Sequence, residues 1–135
     1  MLYGFPLLTL PVIAYNVIAF IAPVSWSREI FRVTMISGVD WVFQLHDLMI
    51  ASALILLFVE ILKATRTSSG ALLDHALSMV LFIVCIVELL LVPEAATSTF
   101  FLLTLIALID VVAGYSVTIR GALRDLSVNH PSAQL

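Results

Sequence analysis

Charged side chains are scarce in this sequence of 135 residues. Asp, Glu, Lys and Arg make up 11% of it, and hydrophobic residues make up 62%. A soluble domain typically carries about 25% charged and about 45–50% apolar residues. A water-soluble fold of this length leaves too much of its surface exposed to hide so many apolar side chains. The composition therefore excludes a soluble globular protein and predicts an integral membrane protein, with the lipid bilayer as its solvent.

Basic runs, cysteine pairs and catalytic motifs are also missing. The net charge is −3 and the six Lys and Arg residues are scattered, so no nucleic-acid partner is expected. The single cysteine, Cys85, excludes an internal disulfide and is expected to pack as a small hydrophobe. No GxSxG, HExxH or Glu-x-x-His motif is present. His46 and His75 lie about 24 Å apart by helical rise, too far to share a haem. Neither an enzyme nor a metal or other cofactor is predicted.

Long apolar runs dominate what is present. Crossing a bilayer takes about 20 mostly apolar residues, and four segments are that long: 5–24, 42–64, 72–92 and 99–119. They are Leu-rich and lack period-two alternation, so helices are favoured over strands. Polar turns at 65–70 and 93–98 are expected to cap the third and fourth helices, the former through Ser68 and Ser69. The predicted fold class is all-α, one transmembrane domain (1–135) forming a four-helix bundle.

The two ends of the chain carry separate predictions. Residues Met1 to Phe5 hold no Lys or Arg, so the first apolar segment is expected to be a retained helix and not a removed signal peptide. Residues 120–135 are expected to form a short cytoplasmic tail, irregular from Leu126 to Leu135. Lys63, Arg66, Arg120 and Arg124 share one side of the membrane, against Arg28 and Arg32 on the other. The Lys and Arg bias favours an inner-membrane protein with both termini in the cytoplasm.

The connector from 25 to 41 has a pattern of its own. Trp26, Ile30 and Val33 share one side of a helical wheel, and Arg28, Glu29 and Arg32 share the other. Two interpretations stay open: a short helix in the headgroup region, or an ordinary polar loop with an aromatic belt. Either way, the candidate interfacial residues are Trp26, Trp41, Arg28 and Arg32.

Polar residues inside the predicted spans are the candidate functional residues. A charge at the bilayer centre costs about 2.5–3.5 kcal/mol, so these groups are expected to face protein or water. Hydrogen bonding between helices is the structural interpretation, and a proton or ion pathway is the functional one. Depth along the helices predicts a His46–Glu88 pair and a Glu60–His75 pair. The candidates are Asp110, Glu60, Glu88, His46, His75, Asp74 and Asn16.

Asp110 lies deepest, with no Lys or Arg expected at its level. We expect it to be protonated, to hydrogen-bond Tyr15 or Asn16 of the first helix, or to face water or an ion. The sequences around His46 and His75 repeat at an offset of 28 residues. We attribute this repeat to coincidence, because the remaining identities are mostly Leu, Ile and Val.

The organisation points to function only in outline. Length, four spans and short loops resemble small bacterial inner-membrane families, such as the phosphate-starvation-inducible E family and the small four-helix subunits of tripartite transporters. The resemblance covers organisation and not motifs, so no residue role is carried across. The predicted function is association, as an accessory subunit of a larger membrane complex or as a homo-oligomer. The alternative is a small proton- or ion-coupled transporter using the intramembrane carboxylates.

Overall fold

Four helices and one β-hairpin make up the computed structural model of the chain, in which residues 4–66 and 69–129 are described. The elements are α1 (Thr9–Phe20), β1 (Glu29–Thr34), β2 (Asp40–Gln44), α2 (Leu45–Ala64), α3 (Ser69–Leu91) and α4 (Ser98–Asn129). A 3-10 turn, Pro93–Ala95, precedes α4. Three helices are long and apolar enough to cross a membrane: α2, α3 from Gly70 onward, and α4. The predicted helical fold is confirmed, and among the described residues three of the four predicted spans are long and apolar enough to cross a membrane.

Helix α4 is the centre of the bundle. Of its most apolar stretch 44% is buried, against 22% for α2 and 11% for α3. The core it forms with α2 and α3 uses small residues, which let helices approach closely. Gly114 is one example, because a Cβ there would lie 3.0 Å from Nδ1 of His75. The buried residues at these contacts include Ala53, Leu57, Cys85, Leu103, Ile106 and Ala107.

Helices that follow one another in the chain alternate in direction. At one end of the bundle, Leu7 contacts Glu60. At the other end, the backbone N–H of His46 donates to the carbonyl of Trp26, so α1 runs antiparallel to α2. Short connections then reverse the chain into α3 and again into α4. Residues 4–8, the α2–α3 connection and the carboxyl end of α4 therefore share one end, which we call the N-terminal end. The hairpin and the α3–α4 connection share the other, the hairpin end.

The first helix is shorter than predicted. It has 12 residues, a length of about 18 Å, against the 20 residues of the predicted span 5–24. Two prolines explain its late start. Pro6 biases the preceding residue away from helical backbone, and Pro11 is tolerated only in a first helical turn, where a missing N–H breaks no hydrogen bond. The chain therefore runs through turns before Thr9.

A β-hairpin occupies the connector of residues 25–41, where the sequence analysis left open an interfacial helix or an ordinary polar loop. Strands β1 and β2 are antiparallel, with Phe31 opposite Phe43 and Val33 opposite Trp41. The turn is closed by the N–H of Met35 donating to the carbonyl of Val39, and it uses Gly38 at φ 81°. Such a three-residue loop with a left-handed glycine is a common hairpin connection. The helical wheel failed here because β-branched and aromatic residues flank a Ser-Gly turn, a strand signal.

The junctions of the long helices follow local capping chemistry. Helix α2 begins at Leu45, three residues later than predicted, because Gln44 and Asp47 form a capping box at the end of β2. The N–H of Phe100 donates to the Thr97 hydroxyl at 3.2 Å, which confirms the predicted cap of the fourth helix. The predicted cap at Ser68 lies outside the described residues.

The carboxyl-terminal helix is longer than predicted. Helix α4 continues to Asn129, so the predicted irregular stretch from Leu126 onward is helical up to that residue. Leu123 and Leu126 are good helix formers, and the next breaker is Pro131, which disfavours helix at the residue before it. Residues 130–135 lie outside the described part of the chain.

Candidate functional site: a buried charged cluster

Lys63 joins two helices near the N-terminal end of the bundle. Its ammonium lies 3.2 Å from Oε2 of Glu60 and 3.2 Å from Oδ2 of Asp74, and it donates to the carbonyl of Phe5 at 3.1 Å. These three partners use all three ammonium protons. The Lys63 side chain is only 12% exposed. Because the sequence places it in the last turn of α2, it was expected to be a loop charge; the structure makes it an internal ion-pair partner.

Glu60 also secures the segment before α1. Its Oε1 accepts a hydrogen bond from the backbone N–H of Leu7. Backbone that is not helical at membrane depth needs partners inside the protein, since lipid offers none. Glu60 and Lys63 provide them for Leu7 and Phe5 respectively. The same two charges therefore bind Asp74 and hold the unwound N-terminal segment.

Asp110 brings a third carboxyl group to this place from α4. It is 6% exposed, and the Ser78 hydroxyl of α3 hydrogen-bonds it. Glu60, Asp74 and Lys63 all lie close enough to act on it electrostatically. We call Glu60, Lys63, Asp74 and Asp110 the charged cluster. Three helices thus supply three carboxyl groups and one ammonium.

A small cavity adjoins the charged cluster. Its volume is about 30 Å³, enough for about one water molecule. Two of its lining residues carry buried polar atoms that have no hydrogen-bond partner among the described residues, Oδ1 of Asp74 and Nε2 of His75. The His75 ring stacks on Tyr115 at 5.6 Å between centroids. The lining residues nearest the N-terminal end are small: Gly4, Ala64, Gly70 and Ala71.

A second polar group lies toward the hairpin end. The Asn16 side chain hydrogen-bonds the carboxyl of Glu88. In the part of the chain that the structure describes, Oε1 of Glu88 is buried without a hydrogen-bond partner. Asn16 also donates to the carbonyl of Val12 at 3.0 Å. Nearby, the hydroxyl of Tyr15 donates to the carbonyl of Glu94 at 2.9 Å. Tyr15 and Asn16 therefore belong to this group, and the expected contact of either with Asp110 is wrong.

The predicted His46–Glu88 pair is also wrong. Nδ1 of His46 lies 3.2 Å from the carbonyl of Trp26, and Nε2 lies 3.1 Å from Oδ1 of Asp47. Both ring nitrogens are thus engaged at the start of α2. Equal depth was the basis of the prediction, but depth does not fix which way a side chain points around a helix.

The prediction for Glu60 and His75 was right about depth and wrong about pairing. Glu60, Asp74 and His75 line one cavity, yet Glu60 binds Lys63, and Nε2 of His75 has no hydrogen-bond partner within residues 4–66 and 69–129. A signal for the true partner was present in the sequence. Glu60 and Lys63 are three residues apart, the spacing at which helical side chains become neighbours.

The predicted interfacial residues lie on or beside the hairpin. Phe31, Trp41 and Phe43 pack together on one face, with Phe31 and Phe43 stacked at 4.6 Å. On the other face Arg32 pairs with Glu29 at 2.9 Å and with Asp40 at 3.5 Å. The Arg32 guanidinium holds the pKa of the Glu29 carboxyl below its ordinary value.

The flanks of the hairpin differ in exposure. Arg28 is exposed, whereas Trp26 is partly buried and stacks on Tyr15 at 4.5 Å. Trp26 is therefore a packing residue of the bundle. Trp41, at 45% exposed, is free to contact the surroundings of the hairpin.

The charged cluster places buried carboxyl groups beside space for about one water molecule, an arrangement whose chemistry is the binding and release of protons. Within residues 4–66 and 69–129, no group of three or more His, Cys, Asp or Glu side chains is arranged to hold a metal ion. Comparisons with protein-family models, curated proteins and solved structures found no match.

Proposed function

We propose that this chain is a multi-pass protein of the inner membrane, with both termini in the cytoplasm, that works by associating with a helix of another membrane subunit. In this role it is an accessory or assembly component of a larger complex. The observation that carries the proposal is a groove of about 400 Å³ between α1 and α2. We call this the α1–α2 groove; it is lined by Leu10, Pro11, Ala14, Ile18, Leu45, Leu48, Met49, Ser52 and Leu56.

The α1–α2 groove has the chemistry of a helix-packing surface. Pro11, Ala14 and Ser52 are small, and small residues let the backbone of another helix approach closely. Only Ser52 contributes a side-chain hydroxyl, and it donates to the carbonyl of Met49 at 2.8 Å. Leu10 and Leu48 remain about half exposed, at 53% and 47%. A neighbouring helix would cover these two leucines. Its fixed side chains would pack against them more closely than disordered lipid chains do.

Site-specific photo-crosslinking in native membranes tests the proposal. A photoreactive residue at Ala14, in the α1–α2 groove, is expected to give a discrete protein adduct identifiable by mass spectrometry. The matched control is Val84, which is 49% exposed on α3 and outside the groove; it is expected to give lipid adducts. Adducts containing only this chain would replace the accessory role with a homo-oligomer. Lipid adducts alone at both positions would contradict association through the groove.

A proton- or ion-coupled transporter is the second candidate, and the charged cluster favours it. The distance between the charged cluster and the polar group of Glu88 and Asn16 argues against a transporter. From Ser78 to Glu88 the rise along α3 is about 15 Å. That interval is filled by the buried apolar side chains of Ala53, Leu57, Cys85, Leu103 and Ile106. This apolar layer separates the carboxyls at the two ends, which supports association over autonomous transport.

A further inference from the structure

The charges of the cluster do not balance when every group is ionised. Glu60, Asp74 and Asp110 would carry three negative charges, and Lys63 one positive charge, leaving two negative charges uncompensated. Glu60 is 3% exposed and Asp110 is 6% exposed, so water screens neither well. An unpaired charge at such a place is strongly disfavoured, and neighbouring carboxylates cannot all remain ionised.

The available donors do not resolve the imbalance. The three protons of Lys63 go to Glu60, Asp74 and Phe5. Within residues 4–66 and 69–129, Asp110 receives only the neutral hydroxyl of Ser78, and Oδ1 of Asp74 receives no hydrogen bond. Of these residues, His75 is the remaining titratable group that lines the cavity. Even a positively charged His75 would leave one negative charge uncompensated.

We propose that the charged cluster is a proton-binding site, holding at least one exchangeable proton on its carboxyl groups at neutral pH. The proton reaches it from the N-terminal end of the bundle through the small cavity, whose lining there includes Gly4, Ala64, Gly70 and Ala71. This site is separate from the α1–α2 groove, so it does not depend on the association proposed above. Because Glu60 and Lys63 also hold the backbone of Leu7 and Phe5, proton occupancy is linked to the segment that precedes α1.

Infrared spectroscopy of the purified full chain in lipid nanodiscs tests this directly. A protonated carboxylic acid has a carbonyl stretch above the amide band, which carboxylates lack. We expect this band in the wild type at neutral pH in sodium-free buffer, a downshift in D₂O, and loss at strongly alkaline pH. Addition of sodium should leave it unchanged. No band at neutral pH, or a band that sodium removes, would overturn the proposal.

Substitutions of single carboxyl residues show which of the two polar groups carries the proton. Asp110→Asn is expected to remove or shift the band, and Asp74→Asn to shift it, because each changes one carboxyl of the cluster. Glu94→Gln is the matched control: Glu94 is exposed and outside the cluster, so the band should persist. Glu88→Gln separates the two polar groups. A band lost only in Glu88→Gln would place the proton near the hairpin end and overturn the assignment.

Discussion

Lys63 shows how a residue can be assigned to the wrong environment from sequence position alone. It closes α2 beside a polar turn, where a lysine normally reaches water. Instead it lies between Glu60 and Asp74, with its side chain 12% exposed. Asp110 was singled out as the deepest acid, and it is 6% exposed. Its neighbours come from α2 and α3, and the sequence could not place them beside it without the rotation of each helix about its axis.

Substitutions of Asp110 distinguish a structural acid from a transporting one. Asp110→Asn keeps a polar partner for Ser78, so the thermal unfolding of the purified protein should stay near that of the wild type. Asp110→Leu leaves the buried Ser78 hydroxyl unsatisfied, which should lower the free energy of unfolding by about 1–3 kcal/mol. Ser116→Ala is the control on the same helix, since Ser116 is exposed.

The same variants decide whether the protein moves protons by itself. In proteoliposomes at equal protein content, we expect no proton flux from the wild type, because the apolar layer separates the two polar groups. Wild-type flux that Asp110→Asn abolishes, with the bundle still folded, would contradict this expectation. It would make the second candidate function the correct one.

At the scale of elements, hydropathy correctly predicted the helices that form from long, unbroken apolar runs. Helices α2, α3 and α4 are long apolar runs, and their existence follows from the need to satisfy backbone hydrogen bonds in lipid. Hydropathy gave the wrong length for α1, because Pro6 and Pro11 shorten that helix. It also did not predict the hairpin in the connector. Apolar Phe31 and Val33 alternate with polar Arg32 and Thr34 before a Ser-Gly turn. This pattern indicates a strand, but the helical wheel did not test for it.

The hairpin is expected to lie against the membrane surface. It continues directly into α2 at Leu45, its aromatic face includes Trp41, and Ile36 at its tip is fully exposed. Tryptophan favours the membrane–water interface. In the single-tryptophan variant Trp26→Phe, Trp41 fluorescence should be quenched by lipids brominated near the headgroup, and Ile36→Asp should reduce that quenching.

The reciprocal variant is the control for this measurement. In Trp41→Phe, the remaining Trp26 is stacked on Tyr15, and its quenching should be insensitive to Ile36→Asp. The opposite result is that brominated lipid leaves Trp41 fluorescence unchanged and a water-soluble quencher reduces it. That result would place the hairpin in the aqueous phase.

At the scale of the whole molecule, the described residues form an alternating bundle with two polar groups separated by an apolar layer. The charged cluster occupies the N-terminal end, and Glu88 with Asn16 occupies the end toward the hairpin. Outside the helices, the described chain contributes little more than a hairpin and short connections. A protein of this shape presents lateral surfaces to its surroundings, which is the physical basis for expecting it to act within the membrane plane.

The last prediction concerns the orientation of the bundle in the membrane. The structure reduces the excess of Lys and Arg at the N-terminal end on which this prediction depends. With Lys63 held inside the charged cluster, the basic residues outside the core at the N-terminal end are Arg66, Arg120 and Arg124, against Arg28 and Arg32 at the hairpin end. Three against two still favours cytoplasmic termini, because Lys and Arg near the ends of spans are retained in the cytoplasm.

A fluorescent reporter fused after Leu135 should therefore be active. A reporter that works only outside the cytoplasm should be active at Ser37, in the hairpin loop, and near Glu94. The margin is small, so the double variant Arg120→Gln, Arg124→Gln should give a mixed orientation, whereas Arg28→Gln should keep the original one. Positions 37, 94 and 135 reporting the same side would show that the alternating arrangement does not correspond to membrane crossings.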